Sequence, residues 1–88
     1  MENYWISPEG KKFKCYNHGC EADRLIKKYY NKDLMYVDYR DYLLKRGWIM
    51  LRIRDFERKI YVDDEPTQAQ IDTIFDLTGQ NYSEDMKI

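Results

Sequence analysis

The 88-residue sequence contains no apolar run near the ~20 residues that a membrane-spanning helix needs. Met1-Glu2-Asn3-Tyr4 opens it without the basic-then-apolar pattern of a signal peptide. Cysteine is scarce: Cys15 and Cys20 are the only two, too few to staple a small secreted domain and expected to stay as thiols in a reducing cytoplasm. These absences point to a cytoplasmic protein with no membrane partner and no structural disulfide. The marks of catalysis are missing as well: no glycine-rich phosphate loop, no Ser-His-Asp spacing and no paired catalytic carboxylates on a recognisable scaffold. The length excludes a multidomain enzyme, and a domain this small buries only about 60–65% of the surface its unfolded chain exposes, which leaves little room for an enclosed active site. Neither an enzyme nor a cofactor is expected. Internal repeats and low-complexity segments are also lacking.

What the chain does have is an aromatic-rich apolar fraction. Nine Tyr, three Phe and two Trp sit within 43% hydrophobic content, so a folded core is expected even though 35% of residues are charged. The formal charge of −1 conceals a polarised distribution. Residues 1–60 carry fourteen basic and nine acidic side chains (+5), whereas residues 61–88 carry one and seven (−6). Either the acidic segment packs beside the basic body and neutralises it, or the two regions form surfaces for two partners.

The elements follow from periodicity and turn chemistry. Asn3-Tyr4-Trp5-Ile6 is β-prone, Ser7-Pro8-Glu9-Gly10 reads as a reverse turn, and Lys12-Phe13-Lys14-Cys15 alternates as a half-buried strand does. Ala22, Leu25, Ile26, Tyr29 and Tyr30 form the stripe of an amphipathic helix from Cys20 to about Lys32, with its cap among Asn17, His18 and Gly19. A second helix is predicted over Asp38 to Arg46, capped by Asp38 and stopped by Gly47. Trp48 to Arg54 and Arg58 to Val62 alternate as two strands paired through a turn near Asp55. Thr67-Gln68-Ala69-Gln70 opens a last helix with a capping box, with Ile71, Ile74, Phe75 and Thr78 as its buried stripe and Gly79 as its stop. The order ββ-α-α-ββ-α predicts one α+β domain over residues 1–80: a mainly antiparallel sheet with helices on one face, followed by a partly ordered tail over 81–88.

Three groups of residues bear on function. Cys15, His18 and Cys20 supply at most three ligands at a spacing that matches no standard zinc knuckle, so packing and capping are the expected roles and no metal is assigned. The acidic run Asp63-Asp64-Glu65 reads as a solvated turn that favours the start of the next helix. The outward strand face is the candidate site. Trp48, Met50, Arg52, Arg54, Lys59 and Tyr61 would form an aromatic and basic platform of the kind that contacts partner proteins or stacks bases and holds phosphates. A protein partner is the leading expectation, nucleic acid the alternative, and association between copies of the chain a third.

Trp5-Ile6-Ser7-Pro8-Glu9-Gly10-Lys11, the His18 near a helix start, Leu43-Leu44-Lys45-Arg46-Gly47-Trp48-Ile49 and Thr67-Gln68-Ala69-Gln70 form an ordered set over residues 5–75. In this the chain resembles small uncharacterised proteins of bacteriophages and mobile elements of Gram-positive bacteria. The resemblance implies a genomic setting in a bacterial host and carries over no catalytic residue. It further implies action by binding a host protein, as an inhibitor of a defence component.

Overall fold

The computed structural model describes residues 2–15, 20–32, 39–55 and 57–88, without the side chains of residues 15 and 20–23. The element order is β1 (Glu2–Ile6), β2 (Lys12–Cys15), α1 (Cys20–Tyr30), α2 (Tyr39–Lys45), β3 (Ile49–Arg54), β4 (Glu57–Tyr61) and α3 (Gln68–Thr78), with a short 3-10 turn at Glu84–Met86. This is the α+β arrangement and the order that the sequence predicts. The side chains of Cys15, Cys20 and Ala22, and all of Asn17, His18, Gly19 and the Asp38 cap, lie outside the described residues.

All strand pairs are antiparallel, in the sheet order β2-β1-β3-β4. The two hairpins therefore join through β1 and β3, with Trp5 opposite Met50 and Asn3 opposite Arg52. The edge strand β2 is short and carries exposed Lys12 and Lys14, a combination that discourages pairing with foreign strands. The β4 edge is covered by the chain terminus, where the Ile88 amide donates to the Ile60 carbonyl.

The helix ends form where local chemistry dictates. Gly47 takes φ +86° after α2, and the Gly47 and Trp48 amides donate back to Leu44 and Leu43, which closes the helix with a Schellman turn. At α3, Thr67 accepts from the Gln70 amide while the Gln70 side chain accepts from the Thr67 amide, so the predicted capping box is present.

Two parts of the expected architecture need correction. Helices cover both faces of the sheet rather than one. On one side α1 and α2 bury Trp5, Leu25, Ile26, Leu43, Leu44 and Trp48; on the other α3 and the terminal segment bury Ile6, Ile49, Leu51, Ile60, Ile74 and Met86. The cause lies in adjacent pairs such as Trp5-Ile6 and Trp48-Ile49, which place large apolar groups on opposite sides of the same strands. Each side needs its own cover. Second, the inner stripe of α3 runs through Gln70, Ile74 and Leu77, whereas Phe75 is 49% exposed and Ile71 only half-buried. An interior amide displaced the register that apolar residues alone suggest: Gln70, 1% exposed, donates to the Gly47 and Ile6 carbonyls at 2.7 and 3.3 Å.

Candidate functional site

Strand alternation places Trp48, Met50, Arg52 and Arg54 of the β3 region on one side with Lys59 and Tyr61 of β4, joined by Asn3 and Trp5 of β1 and Phe13 of β2. One end of this face is closed. Trp48 is 1% exposed beneath α1, its indole N–H donating to the Tyr30 hydroxyl at 2.9 Å and its ring 5.8 Å from Phe13 and 5.6 Å from Tyr29. Met50 packs half-buried against the same cluster, directly opposite Tyr61. Trp48 and Met50 therefore belong to the core, which corrects the expectation that they offer a contact surface. The aliphatic side of the hairpin is taken by α3, so α1 and α2 lie on the indole side.

The other end carries the charges. Arg52 stands between Asn3 on β1 and Lys59 on β4, each directly opposite it in register, and Arg54 is exposed opposite Glu57. Cross-strand neighbours of like charge repel, so the Arg52–Lys59 pairing costs stability. No carboxylate offsets it: among the described residues neither cation forms an ion pair, and the Lys59 ammonium reaches only the Asp85 carbonyl at 3.4 Å. The Arg52 Nε and the Asn3 Oδ1 are both shut away from solvent without a hydrogen-bond partner.

From α2, Arg40 lays its guanidinium over the Tyr61 ring at 3.7 Å, and the Arg52 guanidinium lies 5.9 Å from the same ring centre. The site is thus Arg40, Arg52 and Lys59 around Tyr61, with Arg54 further along the strand opposite Glu57, four of these five being sequence-predicted positions. Arg40 was missed because no local pattern reveals a stacking partner on a strand twenty-one residues away. Past the far end of α2, Arg46 stacks on Tyr42 at 3.5 Å, with Tyr30 edge-on to Tyr42 at 5.4 Å.

The polarity along the chain becomes polarity in space. Beyond the sheet, α3 and its flanking segments expose Asp63, Asp64, Glu65, Asp72, Asp76, Glu84 and Asp85. Their one cation, Lys87, bridges Glu84 and Glu65 at 3.2 Å each, and these hydrogen bonds raise its pKa. The Tyr82 hydroxyl beside them is pushed up by burial and then by the charge of Glu84. The two charged regions meet at the β4 edge, where the Lys59 ammonium donates to the Asp85 carbonyl at 3.4 Å.

The Trp5–Lys11, Leu43–Ile49 and Thr67–Gln70 segments converge on one structural joint. Thr67 donates to the Pro8 carbonyl at 2.7 Å, Thr73 donates to that of Gly10, and Gln70 ties α3 to Ile6 and Gly47. At Gly10, φ is +88° and a Cβ would stand 2.7 Å from the Ala69 carbonyl oxygen. These motifs specify how α3 docks rather than a reactive centre. Among the described residues no three His, Cys, Asp or Glu side chains gather to hold a metal ion, and no helix is long and apolar enough to cross a membrane. The chain matches no known family model, no curated protein and no solved structure.

Proposed function

We propose that this is a non-enzymatic binding protein of the phage or mobile-element kind, which holds an anionic macromolecule of its bacterial host against the cationic half of the sheet. The observation that carries the reading is the Arg52–Lys59 pair, set directly opposite with no ion pair to a carboxylate among the described residues. An anion seated there converts a repulsion within the free protein into two charge-assisted hydrogen bonds. Arg40 and Arg54 extend the positive field, while Trp48 and Met50 support it from the core. The deciding experiment is retention on immobilised heparin, used as a generic polyanion. The wild-type protein is expected to bind at low salt and to elute as salt rises. Arg52→Glu replaces the repulsion by an ion pair with Lys59, so it is expected to remain folded and to elute at clearly lower salt. Wild-type protein that flows through at low salt rejects the reading.

A second reading places a host protein, inhibited by the bound chain, on the opposite layer. Its supporting observation is Phe75, 49% exposed on α3, one turn from half-buried Ile71 and beside exposed Asp72 and Asp76. Large aromatics surrounded by polar groups are typical contact anchors. Phe75→Ala is expected to abolish capture of that partner while leaving heparin retention unchanged; capture by the variant at wild-type level removes the reading.

A further inference from the structure

We infer that the anionic macromolecule is a single-stranded nucleic acid, read by two flat arginine planes at the ends of α2. The inference rests on the cationic-site reading above and names its ligand class. Arg40 lies on Tyr61 at 3.7 Å and Arg46 on Tyr42 at 3.5 Å, distances at which a guanidinium is stacked on the ring. Both arginines are exposed and both rings half-buried, so each ring fixes one face of its guanidinium; the Arg46 guanidinium also lies 5.6 Å from the Tyr30 ring centre. Among the described residues neither arginine forms an ion pair, and the one other polar contact, Arg46 to the Tyr42 carbonyl at 3.3 Å, is made along the edge of the fork.

Such planes suit nucleobases, which stack on guanidinium groups as they do on aromatic rings. A carboxylate needs the edge of the fork and draws nothing from its face, so an acidic protein surface would not require this geometry. Phosphates then fall to the cations around the planes. Lys32 stands 5.9 Å from the Tyr42 ring, and Arg52 and Lys59 lie beside Tyr61. Bases in a duplex cannot reach these planes because both their faces are already stacked.

The test is fluorescence anisotropy at low salt with three labelled probes: a twelve-residue oligo(U), the same length of oligo(dT), and a polyglutamate peptide of equal charge. Both oligonucleotides are expected to bind more tightly than the peptide. The double variant Arg40→Lys/Arg46→Lys keeps both charges and removes both planes. Its oligonucleotide affinity should fall about tenfold or more, the scale of lost base stacking, with the salt dependence unchanged. Circular dichroism checks its fold, and Arg40→Lys alone, expected to give part of the loss, serves as the milder variant. Unchanged oligonucleotide affinity in the lysine variants overturns the inference. So does equal binding of polyglutamate, which leaves the cationic site standing with an acidic protein as its partner. If none of the probes binds and heparin retention is also absent, the cationic-site reading itself fails.

Discussion

Removing the Gln70 side-chain amide while keeping its volume, by Gln70→Leu, attacks the joint between α3 and the sheet. The wild-type amide makes three hydrogen bonds, donating to the Gly47 and Ile6 carbonyls at 2.7 and 3.3 Å and accepting from the Thr67 amide at 2.9 Å. Each is worth about 1 kcal/mol net, and a buried carbonyl left without a donor adds a penalty of about 1–3 kcal/mol. Against this, leucine buries more apolar surface, a gain of about 1 kcal/mol. The balance is a loss of at least about 3 kcal/mol, a large share of the roughly 4–13 kcal/mol expected for a domain of this length. Urea unfolding followed through the fluorescence of buried Trp5 and Trp48 measures it directly, and thermal unfolding should show Tm lowered by about 12–24 °C. Gln70→Glu provides an independent check. A carboxylate cannot donate to the two carbonyls, so burial raises the folded-state pKa of the new acid above its unfolded value. This variant is therefore least impaired at pH below the unfolded carboxyl range and loses stability as pH rises through the folded pKa. A loss under about 1 kcal/mol for Gln70→Leu, or a Gln70→Glu variant indifferent to pH, refutes the assignment of Gln70 as the internal tie.

Tyr30→Phe removes the acceptor of the Trp48 indole N–H and should cost about 1–2 kcal/mol, whereas Trp48→Ala opens the core between α1 and β3 and should cost about 3–5 kcal/mol, both readable by urea unfolding. Gly10→Ala and Gly79→Ala both force alanine into positive φ, but only Gly10 faces a collision, with the Ala69 carbonyl. Gly79→Ala should lose about 1 kcal/mol and Gly10→Ala at least twice that, so equal losses in thermal melts would contradict the described α3 docking. The Glu2 pKa is lowered by hydrogen bonds from Lys14 and Tyr4 and by the Lys14 charge. Its folded pKa being depressed, the contribution is present above the unfolded pKa and lost as pH falls through the folded one. Carboxyl NMR titration should show the Glu2 midpoint move upward in Lys14→Met.

Much of the fold was legible because the governing chemistry is local. The capping box at Thr67 and Gln70, the Gly47 stop and the strand alternation on either side of Asp55 each lie within a few residues of what they control. What escaped was set by contacts across the chain. The inward turn of Gln70 depends on carbonyls 23 and 64 residues away, and hydrophobicity alone assigns that place on α3 to Phe75. The helix layers were misjudged for a related reason: aliphatic Ile49, Leu51 and Ile53 identify one face needing cover, but Trp48 and Met50 can be read equally as contact residues or as a second core. Arg52, Arg54 and Lys59 kept their expected side of the sheet, since alternation fixes a side whatever lies above it.

The division between covered and open halves of that face also separates two kinds of sequence feature. Trp5, Gly10, Gly47, Trp48, Thr67 and Gln70 interlock at one end, where a substitution perturbs several neighbours together and the cost falls on stability. Arg40, Arg52 and Lys59 lie against the Tyr61 ring and the Asp85 carbonyl, and Arg46 against the Tyr42 ring, with no ion pair to a carboxylate among the described residues. Replacing Arg52 by an acid should then leave the fold intact or firmer while weakening polyanion retention. Core residues are chosen by the folded state alone; a residue whose removal benefits that state must be accounted for by something the free molecule does not contain. The Arg52–Lys59 repulsion is the place where this chain departs from what folding would favour, and it is therefore the physical basis for the proposal that an anion binds there rather than at the conspicuous tryptophan.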